Sequence, residues 1–153
     1  MSITDAKLIF SDSQAMGKPT TASTQIASTN VLDLGAAKLD IGAGTPLYLN
    51  IRIVSAPASF GTTHGTGCFF RLQGGSSSVA SGSVWHRTPF VPQELMTAGR
   101  WVARIALPGG IVSRYLRLLY VLDSSSAITY GATTVGAFNA WISGATPETN
   151  VGT

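Results

Sequence analysis

Residues 114–122 read RYLRLLYVL, with seven aliphatic or aromatic residues in nine and two arginines three apart. A strand with one wet face alternates apolar and polar residues, and a surface helix keeps a polar side. This stretch does neither, so it reads as a central strand. Leu116, Leu118, Tyr120 and Leu122 fill the space between two sheets, while Tyr115, Arg117, Leu119 and Val121 form the outer face. An outer face so apolar has to be covered, by an arm of the chain or by a neighbouring chain. Arg114 falls at the start of the strand, near one end of the sandwich.

Working outward, the same period of two recurs. In PLYLNIRIV (46–54), Leu47, Leu49, Ile51 and Ile53 alternate with Tyr48, Asn50 and Arg52. RWVARIAL (100–107) sets Trp101, Ala103, Ile105 and Leu107 on one face, with Val102, Arg104 and Ala106 on the other. CFFRLQ (68–73) turns Cys68, Phe70 and Leu72 inward. VGAFNAWI (135–142) sets Phe138 and Ile142 against Val135, Asn139 and Trp141. Shorter strands are expected at KLIF (7–10), NVLDL (30–34), SVWHR (83–87) and AITYG (127–131). Helical spacing is absent beyond one turn near Gln93–Met96.

About eight short strands separated by Gly, Pro, Ser and Thr clusters specify an all-β fold. Long loops at 55–67 and 74–82 favour Greek-key crossings over a meander. The expectation is an antiparallel two-sheet jelly-roll sandwich spanning 1–153 as one domain. Residues 1–30 contain few large apolar side chains and read as an extended arm or loop, and 145–153 as a flexible tail.

The bulk numbers narrow the function. The 153-residue chain is 44% hydrophobic but 11% charged, well under the roughly 25% usual in soluble domains. Three lysines and seven scattered arginines set against seven acids give a net charge of +3. No basic run is present, which argues against direct nucleic-acid binding. No apolar run is long enough to cross a membrane as a helix, and the N-terminus lacks the apolar core of a secretory signal. Cys68 is the single cysteine, so no intrachain disulfide can form, and a buried inert thiol is expected.

Catalytic chemistry is hard to assemble. His64 and His86 are the two imidazoles, and neither stands near a nucleophile motif. No His/Cys pair has metal-ligand spacing, and GTTHGTG (61–67) and IGAGTP (41–46) lack the residues that would make them phosphate or dinucleotide loops. The expectation is no enzyme, no cofactor and no metal. A hydrolase would require a convergent pair among Asp33, Asp40, Asp123 and His86.

Candidate interaction residues are clearer. WHRTPF (85–90) concentrates Trp85, His86, Arg87 and Phe90, residue types enriched at binding hot spots; equally, Trp85 and Phe90 could cap the core. Tyr48, Asn50 and Arg52 project together from one strand, as a solvated face or an interface. Tyr115 and Arg117 lie on the outer face of the central strand.

Three stretches together resemble the small jelly-roll cement (decoration) proteins on the heads of short-tailed bacteriophages. They are MSITDAKLIFSDSQA (1–15), NVLDLGAAKLDIGAGTPLYLNIRIV (30–54) and LPGGIVSRYLRLLYVL (107–122), followed by ITYGATTVGAFNAWI (128–142). FRLQGGSSS (70–78) is similar to that family's middle strand and turn. SAPASFGTTHGTG (55–67) and WHRTPFVPQEL (85–95) are longer and more aromatic than its usual connections. The resemblance implies a structural virion protein, made in the host cytoplasm and bound to the outer surface of the capsid. It implies the major capsid protein as partner and a homodimer, with Ile3 in an N-terminal segment that orders on the shell. The alternative is a carbohydrate-binding sandwich for host adhesion, with Trp85, His86 and Arg87 as its platform.

Overall fold

A computed structural model describes residues 8–15, 25–35, 46–56, 67–76, 82–111, 113–122 and 136–144. Ile3, His64, Asp40, Asp123, the strand expected at 127–131 and the tail at 145–153 lie outside the described residues. Ten strands are described: β1 (Ile9–Ala15), β2 (Gln25–Ala27), β3 (Leu32–Asp33), β4 (Tyr48–Ser55), β5 (Gly67–Gly75), β6 (Ser83–Arg87), β7 (Val91–Pro92), β8 (Trp101–Ala106), β9 (Tyr115–Leu122) and β10 (Ala137–Ser143). A 3-10 turn at Gln93–Leu95 follows β7, where one helical turn was expected.

The strands form two antiparallel sheets. Sheet A runs β1-β10-β4-β8, and sheet B runs β2-β9-β5-β6, with β3 also on β9 and β7 also on β5. The pairings are nested. β5 returns on β6 and β7 in sheet B, β4 on β8 in sheet A, β2 and β3 on β9 in sheet B, and β1 on β10 in sheet A. The chain is therefore one long hairpin rolled so that successive rungs alternate between sheets, which is the jelly roll expected from the sequence.

β9 lies at the centre of sheet B. Leu116, Leu118 and Tyr120 are fully buried between the sheets, opposite Leu49, Ile51, Ile53, Phe138, Ala140 and Ile142 from sheet A. Phe70, Tyr120 and Phe138, from three different strands, form an aromatic trio. Phe70 meets Tyr120 edge-on at 5.3 Å and Phe138 at 5.5 Å, and Tyr120 and Phe138 are 4.1 Å apart. Such pairs add about 0.5–1.5 kcal/mol each beyond the area they bury. Cys68 is buried in the same core, and burial pushes its thiol up to about 12.

Part of the stretch expected to be an arm, residues 1–30, belongs to the sandwich: β1 is an edge strand of sheet A and β2 an edge strand of sheet B. Polar bonds do what apolar side chains do elsewhere. The buried Tyr120 hydroxyl has one proton to donate, to Ser11 Oγ or to Gln14 Oε1 at 3.2 Å. Gln14 Oε1 also accepts from Ser11 Oγ at 2.7 Å and from the Thr29 amide at 2.7 Å, and Gln14 Nε2 donates to Ala27 O. The Ser28 amide donates to Leu118 O on β9 while the Leu118 amide donates to Ser28 Oγ, and the Asn30 amide donates to Phe10 O on β1. The segment between β2 and β3 thus stitches the two sheets together across the sandwich end.

Two side chains face opposite to the sequence expectation, Trp101 and Val102. The register slips between Ile51↔Ala103 and Arg52↔Trp101. Val102 is the extra residue of this bulge and packs on the core, while Trp101 moves to the outer face beside Arg52.

Truncating the aromatic trio by Phe138→Ala should cost about 3–5 kcal/mol in urea unfolding, whereas Tyr120→Phe, which keeps the ring but loses the hydroxyl's hydrogen bond, should cost about 1 kcal/mol. The Cys68 thiol should be inert to a thiol reagent at neutral pH in the native protein and titrate fully once it is unfolded; rapid native labelling would place it outside the core.

Candidate functional site

The candidate residues separate onto the two outer faces of the sandwich. Directly opposed residues of an antiparallel pair share a face, so the registers define each surface as a grid.

On sheet A, one row is Ile9, Trp141, Asn50 and Arg104, and the next is Asn139, Arg52 and Trp101. β8 and β10 flank β4, so their backbones lie about 10 Å apart. Yet the Trp101 and Trp141 rings are 5.6 Å apart, so the two indoles meet across β4. Asn50 is 0% exposed and not on a solvated face as its position in PLYLNIRIV suggested. Asn50 Nδ2 donates to Tyr48 O at 3.1 Å and Ser143 Oγ at 3.0 Å. Arg52 is exposed; its Nε donates to Gly99 O, and its guanidinium lies 5.8 Å from the Trp101 ring, with that of Arg104 at 4.6 Å. Tyr48 is half-buried at the end of this face. Along β1 and β10, a shallow depression of about 240 Å³ is lined by Ile9, Ser11, Asp12, Asn139 and Trp141.

On sheet B, one row is Ala27, Leu119, Arg71 and Arg87, the next is Gln25, Val121 and Phe69, and a third is Arg117, Gln73 and Val84. Leu119, Val121 and Phe69 are buried even though they point away from the core. Two guanidiniums lie over Phe69, that of Arg87 at 3.7 Å from the ring centre and that of Arg71 at 5.0 Å. Arg117 Nε donates to Gln73 Oε1 at 2.8 Å, and Tyr115 sits beneath the Arg114 guanidinium at 4.9 Å. The outer face of β9 is thus roofed in part by arginines of its own sheet.

WHRTPF does not form one cluster. Trp85 turns onto the core, lies over Gly74 where no Cβ would fit, and donates Nε1–H to Ser113 Oγ at 3.1 Å. His86 is half-buried opposite Leu72, and Arg87 goes to the outer face with Phe69. Phe90 covers Gly67 and remains 42% exposed. The sugar platform imagined from Trp85, His86 and Arg87 is therefore not assembled. The register brings together residues that sequence reading left out: Phe69 and Arg71 on one face, Trp101, Arg104 and Trp141 on the other. The signal for Phe69 was its place one residue out of phase with Cys68 and Phe70.

Asp33, a candidate acid, is engaged elsewhere. Arg114 Nε and Nη2 each donate to one of its carboxylate oxygens at 2.9 Å, and the Gly35 amide donates to Oδ1. These bonds, the Arg114 pair first, hold the carboxyl at about 2. Asp33 stands opposite Tyr115 and His86 opposite Leu72, so the two do not share a rung, and no group of three His, Cys, Asp or Glu side chains suited to a metal occurs among the described residues.

Over residues 10–142 the chain matches a family model described as Bbp16. No curated protein matches it.

Because the folded Asp33 pKa lies below its ordinary value of 3.8, the unfolded chain takes up this proton first. The contribution of the pair is complete above about pH 4 and disappears as the pH falls through about 2. Asp33→Asn should flatten that part of the stability curve, with an effect made small by exposure of 43% and 44% and by salt. An NMR titration placing the Asp33 carboxyl near 3.8 would show that the pair does not persist in solution.

Proposed function

We propose, from the premise that the chain belongs to the Bbp16 family, that it is a structural virion protein of a bacteriophage: a capsid cement, or decoration, protein. It binds the outside of the head, clamps adjacent subunits of the major capsid protein and stabilises the expanded shell against the pressure of the DNA inside. The observation that carries this reading is that one jelly-roll body bears an arginine-on-aromatic surface on each of its two outer faces, Arg52, Arg104, Trp101 and Trp141 on sheet A and Arg71, Arg87 and Phe69 on sheet B. Arg and aromatic side chains are the residue types enriched at interface anchors.

Two such faces on a rigid body suit a bridge between neighbours. Once one face is engaged, the second contact is intramolecular and gains effective concentration, so each interface can be modest. A clamp that fits the expanded lattice alone stabilises that lattice by mass action. The jelly roll and the likeness of 1–15, 30–54 and 107–122 to cement proteins support the same reading. So does the low charge of 11%, which suits a subunit whose surface is partly taken up by contacts, with itself in a homodimer and with the shell.

Carbohydrate binding in host adhesion is the second reading. One observation favours it: the Trp101–Trp141 pair beside Asn139 offers indoles and an amide on one face. Trp85 plays no part in that version.

The test is co-sedimentation of the purified full chain with empty phage heads, before and after expansion, with host-polysaccharide beads in parallel. Saturable binding to expanded heads alone is expected, together with a rise in their disruption temperature. Capture by the beads and not the heads would replace the cement reading with the adhesion reading.

A further inference from the structure

Arg71 and Arg87 face each other directly across the β5–β6 pair. Like charges so placed repel, and cross-strand pairs of this kind are destabilising. Neither is ion-paired with an acid among the described residues. What holds them together is Phe69 beneath: both guanidiniums lie over its ring, and the ring is 5% exposed. Phe69 in turn is opposite Val121, and Arg71 is opposite Leu119, so the two cations stand on a dry apolar floor.

This is a preorganised arrangement. The floor restricts the rotamers of both side chains, so little freedom is lost when a ligand arrives. It also lowers the local dielectric, which strengthens the attraction for an incoming anion. Two guanidiniums presented side by side have the fork geometry that takes a carboxylate through paired N–H groups.

We infer that the Arg71–Arg87 pair on Phe69 is a docking site for the carboxylate side chains of an acidic protein segment. Charge complementarity selects the occupant, since binding an acid relieves the repulsion that the free pair carries. The size of the site favours a protein acid over a phosphate polymer. Nucleic-acid surfaces track the backbone through many contacts, about 6–10 in strong binders, and here the row ends in Leu119 and Ala27 on one side. The inference deepens the proposed function by giving the chemistry of one contact with the shell, and it rests on that reading for the identity of the partner alone.

The measurement uses the purified full chain and synthetic polymers, so its failure would leave head binding untouched. Short fluorescent poly-L-glutamate is titrated by anisotropy, with polyphosphate as the parallel arm. Saturable glutamate binding is expected to weaken roughly tenfold or more in Arg71→Gln or Arg87→Gln, each at unchanged melting temperature. Arg100→Gln removes the same unit of charge from an exposed position away from the pair, and should leave affinity within about twofold. Arg87→Lys, which keeps the charge and loses the flat stacking group, should fall in between and covers the case in which a glutamine variant misfolds. Absence of saturable glutamate binding, or equal weakening by Arg100→Gln, would overturn the site. Tighter binding of polyphosphate through the same two arginines would overturn the assigned occupant and make the face a phosphate-polymer surface.

Discussion

A strand that is apolar on both faces must be covered on both, and in β9 that requirement organises the molecule. Its inner face, Leu116, Leu118 and Tyr120, demands a second sheet, which β10, β4 and β8 supply. Its outer face carries Leu119 and Val121, which are nearly as dry although they point away from the core. The cover there includes lateral neighbours in the same sheet. Phe69 stands beside Val121, and guanidiniums lie flat on Phe69. Arginine is suited to this because its planar, weakly hydrated head can rest on an aromatic face while its edge still reaches water. An ammonium, strongly hydrated, would lift away. The excess of seven arginines over three lysines has a structural reason as well as a functional one.

The nested pairings place a second constraint on the chain. Every rung outside the β5–β6 return joins segments far apart in sequence, and the outermost, β1 on β10, joins the described strands nearest the two termini. Sheet A therefore owes two of its four strands to the ends of the chain. Closing such a rung sacrifices considerable chain entropy, and β1 has Phe10 as its one fully buried large side chain. The Ser11, Gln14 and Tyr120 network supplies what apolar area does not. Its inner end, the Ser11–Tyr120 contact, is buried, so water competes poorly there and losing that bond leaves an unsatisfied polar group.

This division explains what could be read from the sequence. Alternation in PLYLNIRIV and CFFRLQ identified the inward set correctly, because Leu49, Ile51, Ile53, Cys68, Phe70 and Leu72 all face the core. Alternation describes one strand at a time, however, and knows nothing of its neighbours. Asn50 looked solvated because nothing in its own strand reveals that indoles from β8 and β10 meet across β4 on the same face. Trp101 looked buried because a single extra residue at Val102 reverses the phase, and no local residue type announces the bulge. Residues 11–15 and 25–27 looked like part of an arm because apolar patterning is blind to strands held by glutamine, serine and tyrosine hydroxyls. The interaction residues suffered for the same reason. WHRTPF is contiguous in sequence but Trp85 and Arg87 end on different sides of sheet B, whereas Arg71 and Arg87, sixteen positions apart by number, meet across one rung.

The two outer faces differ in a way that bears on how a bridging protein would work. On sheet A the cations are Arg52 and Arg104, grouped around an indole pair that is itself a large apolar platform, and Arg52 is already engaged with Gly99. That face is suited to shape-dependent packing, in which affinity comes from area and fit. On sheet B the pair Arg71 and Arg87 presents charge on a small, dry base. That face is suited to steering and to selecting an acidic partner, effects that operate at longer range and fade with salt. A body with one contact of each kind would find its place through the charged face and hold it through the packed one. Since the sheets are joined by a continuous core, with Phe70, Tyr120 and Phe138 linking them, neither face can shift without the other. Rigidity between unlike contacts is what allows two weak attachments to add into a firm clamp.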